Sequence, residues 1–160
     1  MDDKQKEITE FFLQSWLNEA VDRSNSFLDN INRPYSQNFS FIKTRMYEEH
    51  YVLTATVMSV RFARQLVNHA PKALKEQLQK FIDVTRDAVD VRDMREHSDE
   101  YFLGKGRKKD EFFKGSVESI KCDMSSSIQT EDGYMLGNLI ALELVRDECQ
   151  SLLSFIQNNA

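Results

Sequence analysis

Apolar positions recur every three to five residues along most of the chain, the spacing of helices rather than of strands. Residues 4–30 carry Ile8, Phe11, Phe12, Trp16, Val21, Phe27 and Leu28 in that rhythm and predict a first helix. Residues 31–44 interrupt it with Asn32-Arg33-Pro34 and Ser36-Gln37-Asn38. Proline has no amide hydrogen and clashes inside a helix, so a loop is expected here. Its aromatics Tyr35, Phe39 and Phe41 would fold it onto the body. A second helix is expected from Arg45 to His69, with Tyr47, Tyr51, Met58, Phe62 and Gln65 on one side. Pro71 suits the first turn of a third helix, whose inner stripe is Leu74, Leu78, Phe81, Thr85, Ala88 and Val89. That helix should reach Leu103, where Gly104 and Gly106 stop it. The link between the second and third helices is only a few residues, so the two should pack antiparallel.

Beyond a polar, Lys-rich turn the period changes. Residues 125–137 read as a small hairpin turning at Asp132-Gly133. A lone hairpin is marginal in water, so it must lie against the helices. Asn138 is placed to cap a last helix over residues 139–157, lined by Leu142, Val145, Cys149, Leu152, Leu153 and Ile156. The expected fold class is therefore mainly α: an antiparallel four-helix bundle with a small β-hairpin before the last helix, in a single domain over residues 1–160.

Composition narrows the function classes. At 41% hydrophobic and 29% charged residues the chain is globular rather than disordered. A net charge of -5 argues against a broad basic face for duplex DNA. No stretch approaches the ~20 apolar residues needed to span a membrane, and the polar start lacks the apolar core of a signal peptide. Cys122 and Cys149 are too few for a disulfide framework, so a reduced cytoplasmic setting is expected. No cofactor and no metal are implied. Glu48-Glu49-His50 and Glu96-His97 place Glu beside His, about 100° apart on a helix, so only one of each pair can point inward. Gly104-Lys105-Gly106-Arg107 lacks the spacing of a phosphate-binding P-loop.

The chemically informative stretch is residues 91–101. On a helix continuing from Phe81, the charged Arg92, Glu96 and Asp99 fall on the extension of the apolar stripe. Burying an unpaired charge costs several kcal/mol, so these groups must pair, line a wet cleft or meet an interface. Placing residues whose numbers sum to about 140 level with one another sets Arg45, Glu49 and His50 of the second helix opposite Arg92 and Glu96. A polar layer of Arg45, His50, Arg92, Glu96 and Asp99 follows. It is either an ion-pair network that sets helix register or a cleft that handles an anion, with His50 or His97 titrating near neutral pH.

Arg92-Asp93-Met94-Arg95-Glu96-His97, set on a helix of an all-α protein, resembles the Arg-x4-6-His motif of the HEPN superfamily. The resemblance implies a helical bundle, often a homodimer, and frequently a metal-independent endoribonuclease of toxin–antitoxin or defence systems. In such enzymes the Arg and His of two subunits meet at the dimer interface. Carried onto this chain, Arg92 would grip and polarise the scissile phosphate, His97 would move the proton, and Asp93 would orient both. The chemistry is sound: guanidinium binds phosphate with two prongs, and imidazole is a general acid or base near neutral pH. The stretch Arg95–Tyr101 with Gly104-Lys105-Gly106-Arg107 also resembles uncharacterised bacterial helical proteins.

Two functions stay open. In one, the chain is a non-catalytic dimerisation or interaction module whose charged layer is structural, with a second copy or a small protein as partner. In the other it is a HEPN-type endoribonuclease acting on RNA in a dimer cleft. Glu96, Asp99 and Glu100 beside the motif repel phosphate, whereas Lys105, Arg107, Lys108 and Lys109 would attract it or merely form a solvated turn. Arg92 and His97 facing one cleft would support the enzyme; Arg92 locked to Glu96 or Glu49 would remove its site.

Overall fold

Asp2 accepts a hydrogen bond from the Gln5 amide at 2.8 Å, and the Gln5 side chain accepts from the Asp2 amide at 3.1 Å. This reciprocal cap starts α1, Asp3–Ile31. The computed structural model describes the chain apart from residues 114, 118, 119, 132 and 160, and also leaves aside the side chains of residues 35, 36, 38, 39, 115–117 and 120–122.

The expected loop over residues 31–44 is confined to the turn at Asn32-Arg33-Pro34. Pro34 is the residue before α2, Tyr35–Leu66, where its missing amide hydrogen costs nothing. No glycine follows it, so the polar residues after Pro34 continue as helix. Tyr35 and Phe39 lie among the side chains left aside; Phe41 packs edge-on to Phe27 at 5.2 Å. Phe12 meets Phe62, and Arg23 meets Glu48, so α1 and α2 run antiparallel.

The single third helix expected over residues 71–103 is broken into three: α3, Lys72–Val84; α4, Arg86–Glu96; and α5, Ser98–Phe102. At the first break, buried Thr85 bonds back through its hydroxyl to the Phe81 carbonyl at 2.6 Å, a local bond that competes with helix continuation. His97 occupies the second break, with φ -114° and ψ 28°. Neither break carries proline or glycine, so neither was marked in the sequence. A short α6, Lys109–Phe112, follows.

Two hairpins precede the last helix, one more than expected. β1, Gly115–Val117, pairs antiparallel with β2, Ile120–Cys122. β3, Ser127–Thr130, pairs with β4, Gly133–Leu136, in the expected hairpin, and β5, Ile140–Ala141, adds a third strand. The Asp132 half of the expected turn lies outside the described residues. Asn138 is not a helix cap. With Gly137 it takes positive φ (54° and 58°) to reverse the chain into β5, and α7, Leu142–Asn159, begins only after that strand.

The chain is thus mainly helical, with a small three-stranded antiparallel sheet before the last helix. α1 lies against α2 and α7, α3 against α2 and α7, and α4 against α2. The core is buried apolar surface from all of these, including Leu13, Leu17, Val60, Leu78, Phe81 and Leu152. A satellite cluster of Met94, Tyr101, Phe112 and Met124 sits under the α4–α6 segment. Among the described residues no helix is long and apolar enough to cross a membrane.

Candidate functional site

Where α2, α4 and the sheet meet, a carboxylate is sealed inside the protein. Glu49 is only 5% exposed. Arg95 Nη1 lies 2.8 Å from its Oε2, and the Ser127 hydroxyl donates to the same oxygen at 2.8 Å. The Tyr134 hydroxyl donates to Oε1, which Arg45 Nε approaches to 3.6 Å from the exposed side. Burial, reinforced by the neighbouring Glu49 anion, pushes the Tyr134 phenol well up, so it remains a donor. Arg95 also donates to Ser127. The carboxylate's lone pairs are therefore occupied from three directions, the condition under which a buried charge is tolerated.

Beside this cluster Arg92 donates to Glu96, and His50 Nε2 stands 3.9 Å from the same Glu96 oxygen. The structure thus brings Arg45, His50, Arg92 and Glu96 into one layer around Glu49. Asp99 is exposed and makes no ion pair among the described residues. A cavity of about 320 Å³ opens against the layer, lined by Met46, Tyr47, His50, Arg95, Ser98 and Ser125. Next to the lining residue Ser125, Asp123 accepts from the Ser125 amide at 2.9 Å and the Ser126 hydroxyl at 2.7 Å. Burial opposes its charge, but these bonds outweigh burial and hold its carboxyl below the usual range.

His97 faces elsewhere. It is exposed at the α4–α5 break and shares a shallow cleft of about 260 Å³ with Asp93, Glu100, Tyr101, Gly106 and Arg107. Tyr101 donates to Asp93 at 3.1 Å, and Arg107 Nη2 is 3.8 Å from it. Gly106 is required here because a Cβ would lie 2.3 Å from the Tyr101 ring. Lys108 reaches back to Asp90, whose carboxylate raises the ammonium pKa. Within one chain, then, Asp93 and His97 line one cleft while Arg92 is closed on Glu96 in the other layer.

Arg95, Ser127 and Tyr134 were not singled out in the sequence. Arg95 stands one turn from Arg92 on the side facing Glu49, a usable signal. The two sheet residues carried none, because nothing local says where a hairpin docks. Among the described residues no three His, Cys, Asp or Glu side chains converge as a metal site requires.

A further feature is the outward side of the α1–α2 pair, in addition to a smaller exposed cluster of Phe102 and Phe113 around α5 and α6. Phe11 is 65% exposed and Tyr51 54%, and Ile8 and Phe12 are also exposed. Phe12 stacks on half-buried Phe62 at 5.4 Å. The buried side of α1 is instead Leu13, Leu17, Ala20, Val21 and Phe27, and that of α2 is Leu53, Val60 and Ala63. Ile8, Phe11 and Phe12 of the first helix's apolar rhythm lie outside the core, as do Tyr47 and Tyr51 of the second helix's apolar side.

No family model matches the chain, and neither a curated protein nor a solved structure matches it.

Proposed function

We propose that the protein is a non-catalytic helical module that dimerises through the outward side of α1 and α2, and that it is kin to the HEPN-like bundles, with α1, α2, α3–α4 and α7 as its four helical layers. The carrying observation is the exposed aromatic contact Phe11–Phe12–Phe62 across the two helices, with Ile8 exposed on α1 and Tyr51 exposed further along α2. An exposed cluster of aromatic rings of this kind marks an interaction surface, since isolated proteins rarely leave one uncovered. Closure of Arg92 on Glu96 supports the non-catalytic reading, because a guanidinium already neutralised has little grip left for phosphate.

Sedimentation equilibrium of the full chain tests this. A species of twice 18.7 kDa is expected, converted to monomer by Phe11→Asp with an unchanged circular dichroism spectrum. A wild-type monomer at every concentration up to about 100 μM would overturn it.

The endoribonuclease reading keeps one supporting observation: His97 and Asp93 share a cleft with the exposed guanidinium of Arg107. RNA cleavage lost on His97→Ala at unchanged melting temperature would establish it in place of the module.

A further inference from the structure

The exposed charges of the two helices differ in sign. α1 exposes four acidic residues (Asp3, Glu7, Asp22 and Asp29) and two basic ones (Lys4 and Arg23), a net of -2, whereas α2 exposes four basic residues (Lys43, Arg45, Arg61 and Arg64) and no acidic one, a net of +4. Glu7 and Asp22 of α1 are exposed and unpaired among the described residues, as are Arg61 and Arg64 of α2 except for an Arg61 contact with the Met58 sulfur. Apart from the Arg23–Glu48 contact, no ion pair joins the two helices among the described residues, so these four exposed charges are left for a second surface.

We infer, resting on the dimer reading above, that the second copy sits on this face about a two-fold axis parallel to α1 and α2, so that α1 of each copy lies over α2 of the other. A two-fold that joins two faces must lie in the interface plane. If it ran across the helices, it would stack α1 on α1 and α2 on α2, setting acid on acid and base on base. Running along them, it sets acidic α1 on basic α2 twice, as an isologous contact requires. The antiparallel register of the pair, Phe12 beside Phe62 and Arg23 beside Glu48, then brings Glu7 of one copy within a turn of Arg64 of the other, with the two Phe12–Phe62 stacks at the seam. The area suffices: a 29-residue helix is about 43 Å long and two abreast are about 20 Å wide. That is on the order of 800 Å² per copy, the standard size of a stable interface.

The test is sedimentation equilibrium of charge-reversed full chains, with disulfide trapping as an independent readout of geometry. Arg61→Glu with Arg64→Glu should weaken the dimer roughly tenfold or more, and adding Glu7→Arg with Asp22→Arg should restore it. Ser15→Cys should not cross-link to itself but should cross-link to Met58→Cys on mixing. A wild-type dimer that is indifferent to the reversals, or a self-linking Ser15→Cys chain, would overturn this geometry and leave the dimer standing. A wild type with no dimer would overturn both.

Discussion

Arg95 and Glu49 form an ion pair at 2.8 Å with side chains 9% and 5% exposed, joining α4 to α2 at the point where the sheet docks. A pair this deep contributes little by existing and a great deal by not being broken.

Glu49→Ala should therefore cost about 3–5 kcal/mol in urea unfolding, because it strands the Arg95 charge and removes the acceptor of Tyr134. Arg92→Ala, at a pair about one-quarter exposed, should cost no more than about 1 kcal/mol. Equal losses at the two sites would show that burial is not what separates them.

Cys149 is fully buried on α7, and burial pushes its thiol up to about 12 from 9.0. The folded state then holds a proton that the unfolded state releases, so stability is complete below pH 9 and declines as pH rises from there towards 12. The slope should approach 1.4 kcal/mol per pH unit, as an order-of-magnitude figure. Cys149→Ala should remove that slope while lowering stability at pH 7. Denaturant titrations of both proteins at pH 7 and 10 would show it, and parallel losses would refute the assignment.

Gly137→Ala should destabilise by about 1–3 kcal/mol. Its φ of +58° disfavours any side chain, and a Cβ would lie 2.4 Å from the Met124 carbonyl and 2.6 Å from Val91. A melting temperature equal to wild type would mean that the turn before β5 relaxes freely.

Phe27 and Phe11 share α1 but not its environment. Phe27→Ala removes a fully buried ring and should cost about 3–5 kcal/mol, whereas Phe11→Ser should change monomer stability by less than about 0.5 kcal/mol. Chemical unfolding at high dilution, where association is absent, separates the two. A large loss at Phe11 in the monomer would mean that the ring is core after all.

The layer at Arg45, His50, Arg92 and Glu96 was legible because a short link forces α2 and the α3–α4 segment antiparallel, and helical rise then sets which residues are level. Glu49 was placed beside it for the same reason, but its depth was not foreseeable. A helix face shows which residues lie together; only packing tells which of two apolar sides is covered. Phe11 and Leu13 have comparable apolar character, yet the neighbours of α1 cover Leu13. Likewise the helix breaks at Thr85, where the hydroxyl bonds back to Phe81, and at His97, without proline or glycine to announce either.

By itself, then, the sequence determined the helical character, the strand–turn–strand at residues 127–136, the last helix and the level pairing of charges on α2 and α4, all consequences of period, turn chemistry and short links. The tertiary structure alone decided that Arg92 turns to Glu96 while His97 opens on another cleft, and that the aromatic sides of α1 and α2 point outward. Those outcomes depend on which surfaces the rest of the chain has buried, and burial is a property of the whole fold rather than of any segment.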